Sequence, residues 1–184
     1  MKRSYIVLGS ILLLVVILFF AYRSSYNTAI SLQETVDEKW GNVQSAYQRR
    51  LDLIPNLINT VKGAAKNEKE ILTEVTQARA GIVDAKTPED MELMGKKINT
   101  AINLMYEAYP NIQSTKNFRD FQTQLEGTEN RIKTERDHYN ESIKEYNTHI
   151  RGFFNSMVLN AATFPKKEPF KAAEGSEKAP EVKF

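Results

Sequence analysis

From Ser4 to Tyr22 the chain carries no charged residue and almost every position is apolar. At 1.5 Å per residue that run spans about 28 Å, close to the thickness of a bilayer's hydrocarbon core. Tyr5 and Tyr22 stand at its two ends, where interfacial aromatics belong. A cleaved signal peptide is the competing reading. It requires small residues before the cut, and cleavage after Ala21 would put Phe19 in one of those places. The pattern therefore predicts a retained single-span anchor over residues 1–24. Lys2 and Arg3 before the span, against Arg23 and then Lys39 after it, bias the N-terminus toward the cytoplasm and the bulk of the chain outward.

Beyond Tyr26 the apolar positions change period. Val36, Trp40, Val43, Tyr47, Ile54, Leu57 and Val61 alternate in steps of threes, fours and sevens, the seam of an amphipathic helix. Gly63 and a capping pair, Asn67 with Glu70, predict a turn near 63–67 and a second helix with Ile71, Leu72, Val75, Ala78 and Ile82 inward. In "KTPED", Thr87 is a cap, Pro88 suits the first helical position, and Glu89 and Asp90 complement the helix dipole. The third helix carries Met91, Met94, Ile98, Ile102 and Met105 and stops at Tyr109–Pro110. A fourth is predicted over about 115–160. Phe118, Leu125, Ile132, Tyr139, Tyr146 and Phe153 form one of its seams, and Gln122, Glu129, Arg136, Ile143, Ile150 and Met157 its companion. The result is an all-α chain: a transmembrane helix, then an antiparallel four-helix bundle of two long and two shorter helices over 25–164. A Pro-, Lys- and Glu-rich tail over 165–184 reads as disordered.

One stretch resists this pattern. "RRLDLIPNLI" (residues 49–58) puts charge and a proline inside a helix, where proline costs about 3 kcal/mol. Asp52 is positioned to cap a restarted segment, with Pro55 in its first turn and a kink there rather than a break. Antiparallel register brings Arg50 level with residues 130–137, near Glu129 and one turn from Arg136. Arg50, Asp52, Pro55, Glu129 and Arg136 thus form a candidate structural polar network. The alternative is an arginine that packs its stem and keeps its head in water.

Charge and composition remove several classes of function. A net charge of +2 with no basic run interleaved with aromatics argues against nucleic-acid binding. Without cysteine there is no disulfide framework, thiolate metal site, Cys nucleophile or lipoprotein anchor. "ERDH" at 135–138 is half of a di-iron carboxylate pattern and lacks its second copy. His138, Glu141, Glu145 and His149 share a helical stripe that reads as a solvated charged face. No catalytic triad or phosphate loop emerges, so no catalytic residue, metal or cofactor is assigned. Tyr-Asn pairs recur at 26–27, 139–140 and 146–147. Tyr139, Asn140, Tyr146 and Asn147 form a candidate polar groove for a partner segment, or pack with their polar atoms satisfied across the interface.

Several segments together resemble the LemA family: "RRLDLIPNLINTVKG" at 49–63, "NEKEILTEVTQAR" at 67–79, "AYPNIQSTKNFRDFQTQLEGTENRI" at 108–132 and "RDHYNESIKEYNTHI" at 136–150. "SYN" at 25–27, Trp40 and the ending "PEVKF" add to it. The resemblance implies a bacterial single-span membrane protein with a helical bundle and no known reaction. By association it implies an accessory role beside other membrane proteins. The expected function is that of a membrane-anchored scaffold at the bacterial cell membrane, held in the bilayer through residues 4–22 and binding an unidentified membrane or envelope protein. A structural homo-oligomer built on coiled-coil-like pairing is the alternative, and a metal-dependent enzyme the remote third.

Overall fold

A computed structural model describes residues 2–60, 68–108 and 116–171. The expected turn at 63–67, the stop at Tyr109–Pro110 and the tail from 172 onward lie outside the described residues. The protein is all-α, with five helices and no strand among the described residues. They are α1 (Lys2–Thr60), α2 (Glu68–Asp84), α3 (Pro88–Ala108), α4 (Lys116–Ile150) and α5 (Phe153–Val158). Helix α1 runs through Pro55 without a break. Its N-terminal part is the one described stretch long and apolar enough to cross a membrane, and none of that stretch is buried by the rest of the protein.

The chain divides into two compact units, one of residues 1–42 with 141–167 and one of residues 43–140 with 168–184. The anchor, bundle and tail of the sequence are divisions of chemistry, whereas these are divisions of packing. The second unit is a four-helix core. Leu51 and Ile54 of α1, Ile71 and Ile82 of α2, Met91, Ile98 and Met105 of α3, and Phe121 and Ile132 of α4 are all buried there. Helices α2 and α3 form a hairpin in which the Met94 side chain packs against Gly81. A Cβ at that position would collide with the Met94 thioether. The C-terminal carbonyls of α2 are met by a neighbouring helix: Gln44 Nε2 donates to Ile82 O at 3.0 Å and Ala85 O at 3.4 Å. In the first unit Ala29 and Val36 of α1 are buried, as are Ile143 and Tyr146 of α4 and Phe164 beyond α5.

Two details differ from the sequence pattern. The first is the companion seam of α4, which is displaced by one residue from Gln122 to Arg136, although Ile143 is buried as expected. Phe121, Thr128, Glu135 and Ser142 are buried, whereas Gln122 and Glu129 are exposed and Arg136 is half-buried. Buried positions thus advance in alternating threes and fours from Phe118 to Tyr139, with polar residues in three of the four companion places. Trp40, assigned to the seam of α1, is half-buried. The second is the end of α4 at Ile150 rather than near 160. Gly152 takes an extended ψ of 146°, its N–H closes a tight turn on His149 O at 3.1 Å, and Asn155 Nδ2 donates to the same carbonyl at 2.8 Å. Phe153 and Met157 consequently leave the seam and are 87% and 72% exposed.

The start of α3 is a reciprocal cap. Thr87 Oγ1 accepts the Asp90 N–H at 3.1 Å, while Asp90 Oδ2 accepts the N–H groups of Thr87 at 3.1 Å and Lys86 at 3.3 Å. Hydrogen bonding from Thr87 and the Lys86 amide holds the Asp90 carboxyl below its ordinary value. Thr87→Ala should cost about 1 kcal/mol in denaturant unfolding of the detergent-solubilised protein. Because the folded-state pKa of Asp90 is depressed, its contribution is present above the unfolded value of about 4 and is lost as pH falls through the folded one. Asp90→Asn should therefore flatten the acid limb of the stability curve while leaving its alkaline limb unchanged.

Candidate functional site

Helices α1, α3 and α4 of the second unit enclose a line of polar side chains. Tyr47 and Arg50 are successive positions on one face of α1, three residues apart. Glu92, Gly95 and Asn99 recur on α3 in steps of three and four, so they share a stripe. Glu129 and Arg136 lie seven apart on α4. Arg50 forms an ion pair with Glu129 and donates to Asn99 Oδ1 at 3.1 Å. Its side chain is 16% exposed and that of Glu129 60%, so the cation is withdrawn from water and its carboxylate largely is not. Arg50 Nε is buried with no hydrogen-bond acceptor. Burial pulls the guanidinium's pKa below its ordinary value, though an arginine stays charged at any physiological pH.

Arg136 is not part of that pair. It binds Glu92 at 2.9 Å, stacks its guanidinium 4.5 Å over the Phe170 ring and donates to Lys171 O at 3.4 Å. Tyr47 is buried and interacts with both arginines. Burial pushes its hydroxyl pKa up, while the field of Arg136 and its hydrogen bond, with a smaller contribution from Arg50, act against that and Glu92 adds to it. Gly95 makes room for the ring: a Cβ there would lie 3.1 Å from Tyr47 Cε1. Asp52 belongs to a third set. Its carboxylate pairs with Arg79 of α2 and accepts from Gln48 Nε2 at 3.3 Å, so it serves as a bridge to α2, and α1 has no restart there for it to cap. Of the five residues Arg50, Asp52, Pro55, Glu129 and Arg136, the first and fourth are brought together as an ion pair, Asp52 and Arg136 turn to other partners, and Pro55 lies within the unbroken α1. Glu92, Gly95 and Asn99 of α3 were not singled out in the sequence, and Tyr47 was assigned there only to the seam of α1.

The Tyr-Asn pairs on α4 hold the chain's own C-terminal segment. In the second unit, Asn140 Oδ1 accepts the Phe170 N–H at 2.8 Å and its Nδ2 donates to Phe170 O at 3.1 Å, while the Tyr139 and Phe170 rings meet edge to face at 5.5 Å. In the first unit, Asn147 does the same to Lys167, accepting its N–H at 3.1 Å and donating to its carbonyl at 2.8 Å. The Tyr146 hydroxyl donates to Pro165 O at 3.1 Å, and Lys167 forms an ion pair with Asp37. Burial and then Asp37 push the Tyr146 hydroxyl pKa up.

A second polar knot in the first unit ties α1 to α5. Ser25 Oγ donates to Asn155 Oδ1 at 2.7 Å. His149 Nε2 lies 3.0 Å from Ser25 O, which only accepts, so that nitrogen carries the proton. Nδ1 is then free to accept from Asn155 Nδ2 at 3.3 Å. Tyr26 and Phe164 stack edge to face at 5.3 Å beside it. His138 lies 3.8 Å from Glu135, which also pairs with Arg131 at 2.8 Å. Among the described residues no group of three or more His, Asp or Glu side chains is arranged to hold a metal. The chemistry these arrangements support is positioning: amides and carboxylates that fix helices and an extended strap.

The LemA family profile matches residues 39–184, and the chain belongs to that family. Protein LemA of Metamycoplasma hominis is 24% identical over 162 residues, covering 86% of this chain and 74% of its own length. The magnetosome proteins MamQ 1 and MamQ 2 of Paramagnetospirillum magneticum are each 28% identical over 174 residues, covering 79% of this chain; the match spans 64% of their length.

Because Glu129 is mostly exposed, a double-mutant cycle of Arg50→Met and Glu129→Gln should give a coupling of only about 0.2–1 kcal/mol in denaturant unfolding. A larger coupling would mean the pair is shielded. Tyr47, whose folded-state pKa is raised, contributes stability that is complete below about pH 10 and is lost as pH rises through the folded value. Tyr47→Phe should make the alkaline limb of the stability curve shallower. Asn147→Ala removes two hydrogen bonds to the strap, each worth about 1 kcal/mol, so trypsin should cut after Lys166 or Lys167 on the order of tenfold faster.

Proposed function

We propose that this LemA-family chain is a single-span membrane protein whose helical bundle serves as an interaction module rather than as an enzyme. The observation that carries the reading is the uncovered apolar surface of α1 from Ser4 to Tyr22. Leu8, Leu12 and Phe20 there are each more than 60% exposed, and none of that stretch is buried among the described residues. A soluble monomer seldom exposes an apolar patch beyond about 300–600 Å², and a bare membrane-length helix greatly exceeds that. Lipid removes this surface from water, with Tyr5 and Tyr22 at the two interfaces.

In this reading the bundle lies outside the cytoplasm, following the Lys2 and Arg3 bias, and docks another membrane or envelope protein at a bacterial cell membrane. Its buried polar contacts keep the helices in one arrangement, which suits a scaffold.

The protein should remain in the membrane pellet after alkaline carbonate washing, at its full mass. A mature chain beginning near Tyr22 or Ser24 would remove the anchor. Protease added to intact spheroplasts should digest the bundle, and protection would reverse the orientation. Crosslinking in the membrane should capture a different protein. Capture of a second copy alone, with a multiple of the monomer mass in detergent, would favour the self-assembling alternative.

A further inference from the structure

The short helix α5 exposes Phe153 at 87% and Met157 at 72%, with Phe154 and the half-buried Val158 beside them. Phe153 and Met157 are one helical turn apart and so lie on one face. These side chains have no place in the bundle seams, because α4 ends before them at the Gly152 turn. Their level in the molecule is fixed by the knot on the opposite side of the helix. Asn155 of α5 accepts from Ser25, and His149 donates to the Ser25 carbonyl. Ser25 follows Tyr22, the last residue of the apolar run, by three positions, which is about 4.5 Å of helix. The interfacial layer on each side of a bilayer is roughly 5–7 Å deep. The residue to which α5 is tied therefore stands within the headgroup zone.

We propose that α5 is a second, interfacial membrane contact, inserting Phe153 and Met157 into the headgroup and upper acyl region beside the span. The inference rests on the membrane-anchor reading above. Six residues are too few to form or bind as a free amphipathic helix. Here the helix is already formed and tethered next to its surface, so the ordering cost is met by the fold. The exposed Arg23 and Arg151, close in sequence to the two ends of the knot, suit anionic headgroups. Such a contact restrains rotation of the first unit about the span, which a single helix leaves free.

The test uses the full-length protein in phosphatidylcholine–phosphatidylglycerol vesicles. Trp40 is the sole tryptophan and cysteine is absent, so single probes are available. In a Trp40→Phe background, Phe153→Trp reports on α5 and Phe20→Trp on the span. Phe153→Trp should show blue-shifted emission, a loss of emission with lipids brominated near the top of the acyl chain, and shielding from aqueous iodide. A nitroxide on Met157→Cys should likewise favour oxygen over a water-soluble relaxation agent. Water-like emission open to iodide, with Phe20→Trp still quenched by bromolipid, would overturn the proposal and leave the anchor standing. Shielding from both quenchers would overturn it in favour of a protein contact, such as a second copy. If Phe20→Trp is also untouched by bromolipid, the anchor reading falls and this inference with it.

Discussion

A polar group taken out of water must find a partner inside the protein, and this constraint fixes helix orientations that apolar contacts leave open. The seams of α1 and α4 are not purely hydrophobic: Tyr47, Thr128, Glu135, Ser142 and Tyr146 occupy buried places. Each recruits something. Tyr47 interacts with Arg136, which in turn requires Glu92 of α3. Glu135 takes Arg131, Thr128 donates back to Leu125 O at 2.9 Å, and Tyr146 requires the carbonyl of Pro165. Apolar packing alone would tolerate α3 rotated about its axis. The demand for Glu92 beside Arg136 and Asn99 beside Arg50 does not.

The same constraint accounts for a strap with little apolar content of its own. Asn140 and Asn147 each bind both the N–H and the carbonyl of one residue, Phe170 and Lys167 respectively. Recognition of the main chain makes few demands on side-chain identity, so a Pro-, Lys- and Glu-rich sequence can satisfy it. Among the described residues of this segment, Phe164 and Phe170 contribute buried rings. In the second unit, Phe170 also gives Arg136 an aromatic face. That contact couples the strap to the Tyr47–Arg136–Glu92 set.

What the amino-acid pattern makes legible is whatever depends on spacing along one helix. The apolar run to Tyr22, the three-four steps of each core face and the Thr87–Asp90 cap are all local, and they suffice for the all-α class and the helix order. Rotation about a helix axis is less legible. Gln122, Glu129 and Arg136 repeat every seven residues as cleanly as Phe121, Thr128 and Glu135, and one residue of rotation is only about 100°. Apolarity cannot break the tie when the buried set includes Thr, Glu and Ser. The end of α4 was hidden for a related reason, because Phe153 and Met157 continue the heptad period past the turn that removes them from it. Partners across helices were the least legible of all. Asp52 and Arg79, or Arg136 and Glu92, meet only once the helices have been placed.

Residues that keep a helical period after they have left the helix's core face raise the question of what else selects their character. In a bundle surrounded by water, Phe153 and Met157 would be better replaced by polar residues, since exposed apolar area invites association. Their position after Gly152, on a helix tied to Ser25, gives the period a different reason. The apolar character that α4 needs inward is carried by α5 outward, which in the proposed membrane contact places it where the medium changes from water to lipid. The Ser25–His149–Asn155 knot is what makes this possible. It is built from hydrogen bonds rather than from carboxylate–cation pairs, so in the proposed setting it does not depend on an exposed charge pair that headgroups and salt would compete for.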